Sequence, residues 1–360
     1  MDTSARYYLG FSFVDGIGPS RLDRLIAQCG SLEAAWLASS DDMRVAGLDL
    51  RTRNTFVRVR GSLDLDHKLQ QIARAGVSLI TRESPEYPGM LLHIPSAPPL
   101  IYVRGQIAPN DTLTVAVVGT RSPTSYGRDV AQQLVAELVA AGVTIISGLA
   151  IGIDQIAHSA ALRAGGRTIG VLPCGIDMVY PDRHRKLATQ ICESGALVSE
   201  FSFGTRPLPQ LFPVRNRLIS GLARAVLIIE ARPGSGALIT ADYALEQGRD
   251  VLAVPGPIYS LTSEGPHRLI RNGAGLVTSA RDVLEALNME YMVTQPLERA
   301  ALPEEDDERR VLALLSREPQ HIDELSRTSS LAVQHIASML TLLELKGYVR
   351  QVGAQEYVIS

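Results

Sequence analysis

Lysine is almost missing from this 360-residue chain: Lys68, Lys186 and Lys346 are the only three, which leaves arginine for 32 of the 35 basic side chains. Cysteine is as scarce. Cys29, Cys174 and Cys192 are odd in number, lie far apart and show no CxxC spacing, which excludes a readable disulfide framework or zinc cluster and fits a reducing cytoplasm. Long hydrophobic runs are lacking too; the most apolar stretches, such as 143–153, fall short of the roughly 20 residues a membrane span needs. The opening residues carry no charged-then-apolar leader pattern, so a cytoplasmic protein that neither crosses nor enters a membrane is expected. A net charge of -3 means that bulk charge demands no polyanion, and any such site must be local. Two phosphate signatures are also missing. Without GxGxxG, and without an acid where the second strand ends in Ser147-Gly148, the NAD fingerprint is excluded. Without GxxxxGK[ST], P-loop phosphoryl transfer lacks its lysine. No cofactor, no metal and no catalytic group are expected.

What is present is an apolar content of 46%, enough for two or three packed domains. Residues 1–65 read as a helical module, of SAM-like or helix-hairpin-helix type, with a turn at 15–20 leading into the periodic run Leu22, Leu25, Ile26. That turn serves either as a phosphate-holding hairpin or as part of a helical cap on the next domain. From 66 to 288, short β-rich runs (77–81, 100–104, 114–118, 143–147, 168–172, 197–199, 225–230, 251–254) alternate with helical stretches. Continuous Val, Ile and Leu in those runs predicts a parallel sheet covered on both faces, a doubly wound Rossmann-like α/β domain. A polar linker is expected at 289–307. A winged helix then follows at 308–360, with helices at 309–315, 322–326 and 333–345 and a wing turning at Gly353-Ala354. Residues 303–360 carry ten acids and six bases, and the face expected to enter a groove shows Gln334, His335, Ser338 and Thr341 with no arginine. A protein contact suits this domain better than DNA reading.

Glycine-rich turns at strand ends are where such sheets bind phosphates. The first, Gly119-Thr120-Arg121, offers amides and a guanidinium to close over an anion. The second, 147–154, places Asp154 and His158 one helical turn apart; two ligands make no metal site, and the pair reads as structural. The third, Gly234-Ser235-Gly236, opens another helix. Between 204 and 224 stand Arg206, Arg215, Arg217 and Arg224 with no acid, and Phe203 and Phe212 are interleaved. That is the composition of a single-strand nucleic-acid groove, although a solvated helix face explains the charge as well.

Six strings in order, VAVVGTR (115–121), SGLAIGIDQIAH (147–158), GVLPCGIDMVYPDRHRKL (170–187), FPVRNRLISGL (212–222), GSGALITADYALEQGRDVLAVPG (234–256) and LIRNGAGLV (269–277), together resemble the DprA/Smf family of DNA-processing proteins. The resemblance implies a non-catalytic mediator that binds single-stranded DNA, protects incoming strands and loads RecA during natural transformation. It implies DNA contacts at Gly119, Thr120 and Arg121, at Lys186 with Arg185 beside it, and at Arg215, Asn216 and Arg217. To these the groove reading adds Phe203, and the third turn adds Gly234, Ser235 and Gly236. A homodimer through His267, Leu269 and Leu276 is implied, and single-strand-binding protein is a further candidate partner. The chain departs from the family pattern at Ile151, where arginine is usual, and at His267, where asparagine is commoner. The alternative is a nucleotide-binding Rossmann-like enzyme of the nucleoside monophosphate hydrolase type, for which Glu230 or Asp242 would be the carboxylate.

Overall fold

The computed structural model describes residues 3–108, 111–288, 306–316, 318–329 and 331–359, so the expected linker lies almost wholly outside the described residues. Nine strands form one sheet: β1 (Val77–Thr81), β2 (Leu100–Gly105), β3 (Thr114–Val118), β4 (Thr144–Ser147), β5 (Thr168–Val171), β6 (Ala196–Ser199), β7 (Ala225–Ile228), β8 (Asp250–Ala253) and β9 (Gly275–Leu276). Their order across the sheet is β1-β2-β6-β5-β4-β3-β7-β8-β9. Strands β3 to β9 are mutually parallel, while β1 and β2 add an antiparallel margin beside β6.

Every residue of β3, β4, β5, β6 and β7 is buried, which is why those runs read as continuous apolar sequence rather than alternation. Alternate side chains feed two cores. Ala116, Val118, Ile146, Val226 and Ile228 face helices 211–221 and 236–246 on one side. Val115, Val117, Ile145, Ala225 and Leu227 face helices 125–140 and 153–163 on the other. From β3 the chain lays β4, β5 and β6 to one side and then returns to place β7 on the other. The crevice beyond the carboxyl ends of β3 and β7 is therefore the topological switch point.

Six helices between Thr3 and Arg74 precede the sheet. Phe11, Trp36 and Phe56 meet at ring-centroid distances of 5.2 Å in their core. Side-chain caps set the helix starts: Ser39 and Asp42 form a capping box, Asp49 accepts from Thr52 N at 2.9 Å, and Asp64 accepts from His67 N at 2.9 Å. The turn at 15–18 docks on this core, since a Cβ on Gly16 (φ +93°) would stand 2.7 Å from Thr52 Oγ1. One apolar cluster runs from Tyr8, Leu22 and Phe56 into Leu172, Cys174 and Ile176 beyond β5, and Met1–Tyr291 forms one compact unit.

The second unit, described over 306–316, 318–329 and 331–359, is a winged helix. Helices 306–314, 322–329 and 333–345 pack Val311, Leu325, Ile336, Leu340 and Leu343 together. Strands β10 (Gln320–His321), β11 (Val349–Gly353) and β12 (Glu356–Ile359) form the sheet in the order β10-β12-β11. Lys346 Nζ donates to both oxygens of buried Glu308, at 2.9 and 2.8 Å. On the exposed face of its last helix, Ser338 and Thr341 return their hydroxyls to the helix carbonyls, and His335 lies 3.9 Å from Asp307. Among the described residues no helix is long and apolar enough to cross a membrane.

Candidate nucleic-acid interface

The parallel strands β6, β5, β4, β3, β7, β8 and β9 all end on one edge, and the loops after the middle five lie side by side there, in the order β5, β4, β3, β7 and β8. At about 4.8 Å per strand this makes a ledge of about 20 Å, longer than a mononucleotide needs.

The loop after β3 carries Gly119, Thr120 and Arg121. Its backbone is largely committed to the fold. Thr120 N donates to Glu230 O at 2.7 Å, Ser122 N to Thr120 Oγ1 at 3.3 Å, and Thr120 O accepts from Ile153 N at 3.2 Å. The amide cradle expected from the sequence is thus reduced, because two of its donors already have internal acceptors. What remains is Arg121, which is exposed with its guanidinium 5.6 Å above the Phe212 ring. Phe212, near the start of helix 211–221, meets Tyr180 from the loop after β5 edge-on at 5.6 Å. Tyr180 is 44% exposed. The result is a solvent-facing row of a cation and two rings, assembled from three separate segments. Sequence reasoning counted Phe212 as one of two interleaved rings and missed Tyr180. The signal available was the Tyr180-Pro181 step, one residue before the basic run 183–186.

Lys186 and Arg185 lie beyond Tyr180 at the start of helix 185–194, both exposed; Arg185 Nε donates to Asp182 Oδ1 at 2.8 Å. On the other side, Ser235 caps helix 236–246, and Gly234 and Gly236 are exposed with no neighbour where a side chain would project. Asn216 Nδ2 donates to Gly236 O at 3.1 Å, which ties this turn to helix 211–221.

Of the four arginines between 204 and 224, Arg206 and Arg224 are exposed, while Arg215 and Arg217 point inward. Arg215 is 3% exposed: its Nη1 donates to Gly148 O at 2.6 Å and also to Val171 O, and its Nε donates to Asn216 Oδ1 at 3.1 Å. Arg217 is paired with Glu200, both nearly buried. Counting arginines between 204 and 224 therefore overstates the charge on this edge, because a helix delivers some of its positions to the core. Phe203 packs on Tyr102 at 6.0 Å, where Tyr102 OH meets Ser12 Oγ at 2.7 Å. It sits at the seam with the N-terminal helices rather than in the Arg121 row.

Beneath the row, the loop after β4 ties the others together. Asp154 Oδ2 accepts from Gly148 N at 3.1 Å and Ala150 N at 3.3 Å, while Arg215 takes the carbonyl of Gly148. His184 reaches Leu149 O through Nδ1 at 2.9 Å and the Gln155 side chain through Nε2 at 3.1 Å, which fixes the segment carrying Tyr180 and Lys186. Gly152 (φ +89°) lies so close to the first turn that a Cβ would stand 2.3 Å from Thr120 O. Burial pushes the Asp154 carboxyl up, and Arg215 opposes that shift. Burial pulls the Arg215 guanidinium down to about 10 against the pull of Asp154. His158 Nδ1 bonds Thr168 Oγ1 at 2.7 Å, and complete burial lowers its pKa to about 3, so it stays neutral. The Asp154–His158 segment thus supports the turn, in line with the structural reading of that pair. Ile151, where the resembled family usually has arginine, is 36% exposed on this loop.

Glu230, the carboxylate at the switch point, is buried and accepts from Thr124 N at 2.9 Å, Thr124 Oγ1 at 2.6 Å and Thr262 Oγ1 at 2.9 Å. A Cβ on Gly127 would lie 2.2 Å from it, so glycine there is what lets the carboxylate reach the start of helix 125–140. Asp242 is exposed on helix 236–246. Of the expected dimer residues, Leu276 on edge strand β9 is 50% exposed, Leu269 is buried, and His267 bonds the Gly256 backbone at 3.0 Å. Near Leu276 in the sheet order, the loop after β8 exposes Ile258, Leu261 and Tyr259, the last at 93%.

The fold is thus a doubly wound α/β protein with a helical module before it and a winged helix after it, and its switch-point edge presents a cation–aromatic row. Residues 78–288 match the family model described as DNA recombination-mediator protein A, and residues 295–355 match the DprA winged helix domain. The chain belongs to the DNA recombination-mediator protein A family. Protein Smf of Synechocystis is 35% identical over 98% of this chain and 98% of its own length. The DNA processing protein DprA of Streptococcus pneumoniae is 45% identical over 55% of this chain and 70% of its own. The X-ray structure of the S. pneumoniae protein superposes with a TM-score of 0.68 at 34% identity, covering 79% of this chain and 97% of that one. A Helicobacter pylori DNA processing protein A structure, described for its single-stranded DNA binding mode, gives 0.53 at 28% identity over 59% of this chain and 95% of its own.

Proposed function

We propose that this protein binds single-stranded DNA along the carboxyl edge of its sheet, protects incoming strands and loads the RecA recombinase onto them during natural transformation, without catalysis of its own. The observation that carries this reading is the row of Arg121, Phe212 and Tyr180, in which Arg121 and Tyr180 are exposed and Phe212 is half-buried between them. A guanidinium tracks the phosphates while the rings offer stacking faces to bases of any sequence. Lys186 and Arg185 extend the charge past Tyr180, and the Gly234-Ser235-Gly236 turn extends the edge the other way. Gly119 and Thr120 hold Arg121 in place. Arg215, Asn216 and Arg217 act from below, as positioning residues for the turns. The single-strand binding described for the H. pylori relative supports the ligand class.

A homodimer is part of the proposal. Leu276, Ile258, Tyr259 and Leu261 form its apolar contact at the β9 edge, with His267 and Leu269 shaping the surface from behind. Single-strand-binding protein is the partner that RecA loading would displace. The nucleotide-hydrolase alternative lacks support at Glu230, whose hydrogen bonds to Thr124 and Thr262 leave it holding a helix start.

The test is fluorescence anisotropy with labelled oligo-dT and a matched duplex at two salt concentrations, using wild type and Arg121→Ala. The expected result is tight single-strand binding that weakens with salt and drops about tenfold in the variant, whose salt slope is less steep by about 0.7. Binding that ignores the substitution, or AMP turnover that survives it, contradicts the reading.

A further inference from the structure

The N-terminal helices carry a charge asymmetry that the sheet edge leaves unused. Residues 1–65 hold eight acids and eight bases, yet helix Leu50–Ser62 contains four of the arginines and none of the acids. Two of those arginines are internal struts. Arg60 Nη1 donates to the carbonyls of Trp36 (2.8 Å) and Ala38 (2.9 Å), and Arg53 Nη1 reaches Ser40 O and Oγ at 3.3 Å. Arg51 and Arg58 are exposed, and neither guanidinium has an acidic partner among the described residues. They stand seven residues apart on one helix face, about 10 Å along the axis. With Leu50, Asn54 and Thr55 they line a shallow, open groove on that helix face. Nearby acids are engaged elsewhere: Asp49 caps the helix and pairs with Arg21 at 3.0 Å, and Asp41 pairs with Arg44 at 3.3 Å.

Two unopposed cations about 10 Å apart suit a line of phosphates better than one converging anion, and about three base-pair steps of 3.4 Å span that distance. A single strand would also want rings to stack on. Of the six rings of this module, Phe11, Trp36 and Phe56 are buried against one another, Tyr8 is buried and Tyr7 and Phe13 are half-buried, and none lines the groove. A duplex, whose bases are already stacked, asks only for backbone contacts. We propose that the Arg51–Arg58 groove holds the sugar–phosphate backbone of duplex DNA adjoining the single strand, so that the protein favours a junction between the two. This rests on the single-strand reading of the sheet edge.

The test uses the full chain and three labelled probes: a dT strand, the same strand joined to a hairpin duplex, and the blunt hairpin alone. Wild type should bind the tailed hairpin about tenfold more tightly than the dT strand. The double variant Arg51→Glu/Arg58→Glu should bring the tailed hairpin down to the dT level, leave dT affinity unchanged and flatten the salt slope on the tailed probe by about two. An unchanged unfolding midpoint, and an intermediate affinity for Arg51→Gln/Arg58→Gln, tie the effect to charge. Equal wild-type affinity for the dT strand and the tailed hairpin overturns the proposal. So does a double variant that loses both probes equally, which would put the arginines on the single-strand path. Arg121→Ala on the dT probe reports separately on the sheet-edge reading, and the blunt hairpin keeps the groove measurable if that reading fails.

Discussion

Arg121 and Phe212 are 91 positions apart in the chain and face each other only because the loop after β3 and the start of helix 211–221 open on the same sheet edge. Phe212 serves twice, as a platform for a base and as the seat of the guanidinium. Phe212→Ala should therefore cost about 1–3 kcal/mol of oligo-dT affinity, with Phe212→Tyr retaining most of it, as read by anisotropy titration. Buried Asp154, which holds the Gly148 amide while Arg215 takes the Gly148 carbonyl, makes a different prediction. Asp154→Ala leaves two loop amides without their acceptor, so urea unfolding should show a loss of about 1–3 kcal/mol. Equal stability of wild type and Asp154→Ala would show that the carboxylate does not hold the turn. These roles divide the arginines that look alike in sequence. Composition marks 204–224 as basic, but burial decides that Arg215 and Arg217 serve the fold while Arg121 remains outside.

The strands were the most legible elements, because full burial on both faces forces unbroken Val, Ile and Leu runs. The expected 114–118 and 77–81 coincide with β3 and β1, and the other runs differ by a residue or two at their ends. The two-residue β9 carries no such signal, since Gly275 and Leu276 are both exposed and pair only with β8. The helix at 211–221 was hard to delimit because Pro213 and three polar residues interrupt its apolar pattern, although its buried Leu218 and Ile219 join the core. The site was legible as a set of turns, but not as a row of side chains, because the meeting of Tyr180 with Phe212 depends on where helix 211–221 crosses the sheet edge. The loop after β4 is the element on which the others lean. Gly152→Ala meets both a left-handed backbone (φ +89°) and Thr120 O at 2.3 Å, so it should destabilise the protein and weaken oligo-dT binding together. Thermal unfolding and anisotropy on the same sample check this, and a variant unchanged in both would separate the loop from the site.

Across the whole molecule, the buried polar groups beneath the edge link stability to pH. His158 has a folded pKa of about 3 against an ordinary 6.5, so the unfolded chain binds the extra proton between those values. Its contribution is complete above pH 6.5 and declines as pH falls toward 3, by at most about 1.4 kcal/mol per unit. Asp154 and Glu200, whose carboxyls burial pushes up, act in the opposite sense on acidification. The informative quantity is therefore the difference between wild type and His158→Gln in urea midpoints from pH 7 to pH 5. Wild type should lose more stability than the variant over that range, and parallel curves would contradict the assignment. Charge is likewise divided between the parts of the chain. Residues 303–360 carry ten acids against six bases while the rest of the chain is near balance, so the proposed ssDNA binding is assigned to the α/β edge and not to the winged helix.

The most direct test of that assignment is photocrosslinking of a thymidine-analogue strand to the full-length protein, with the attached peptides mapped by mass spectrometry. Crosslinks concentrated in 119–124, 180–186 and 211–213, and lost at high salt, are the predicted result. Crosslinks confined to the winged helix, or scattered without regard to the sheet edge, would contradict it.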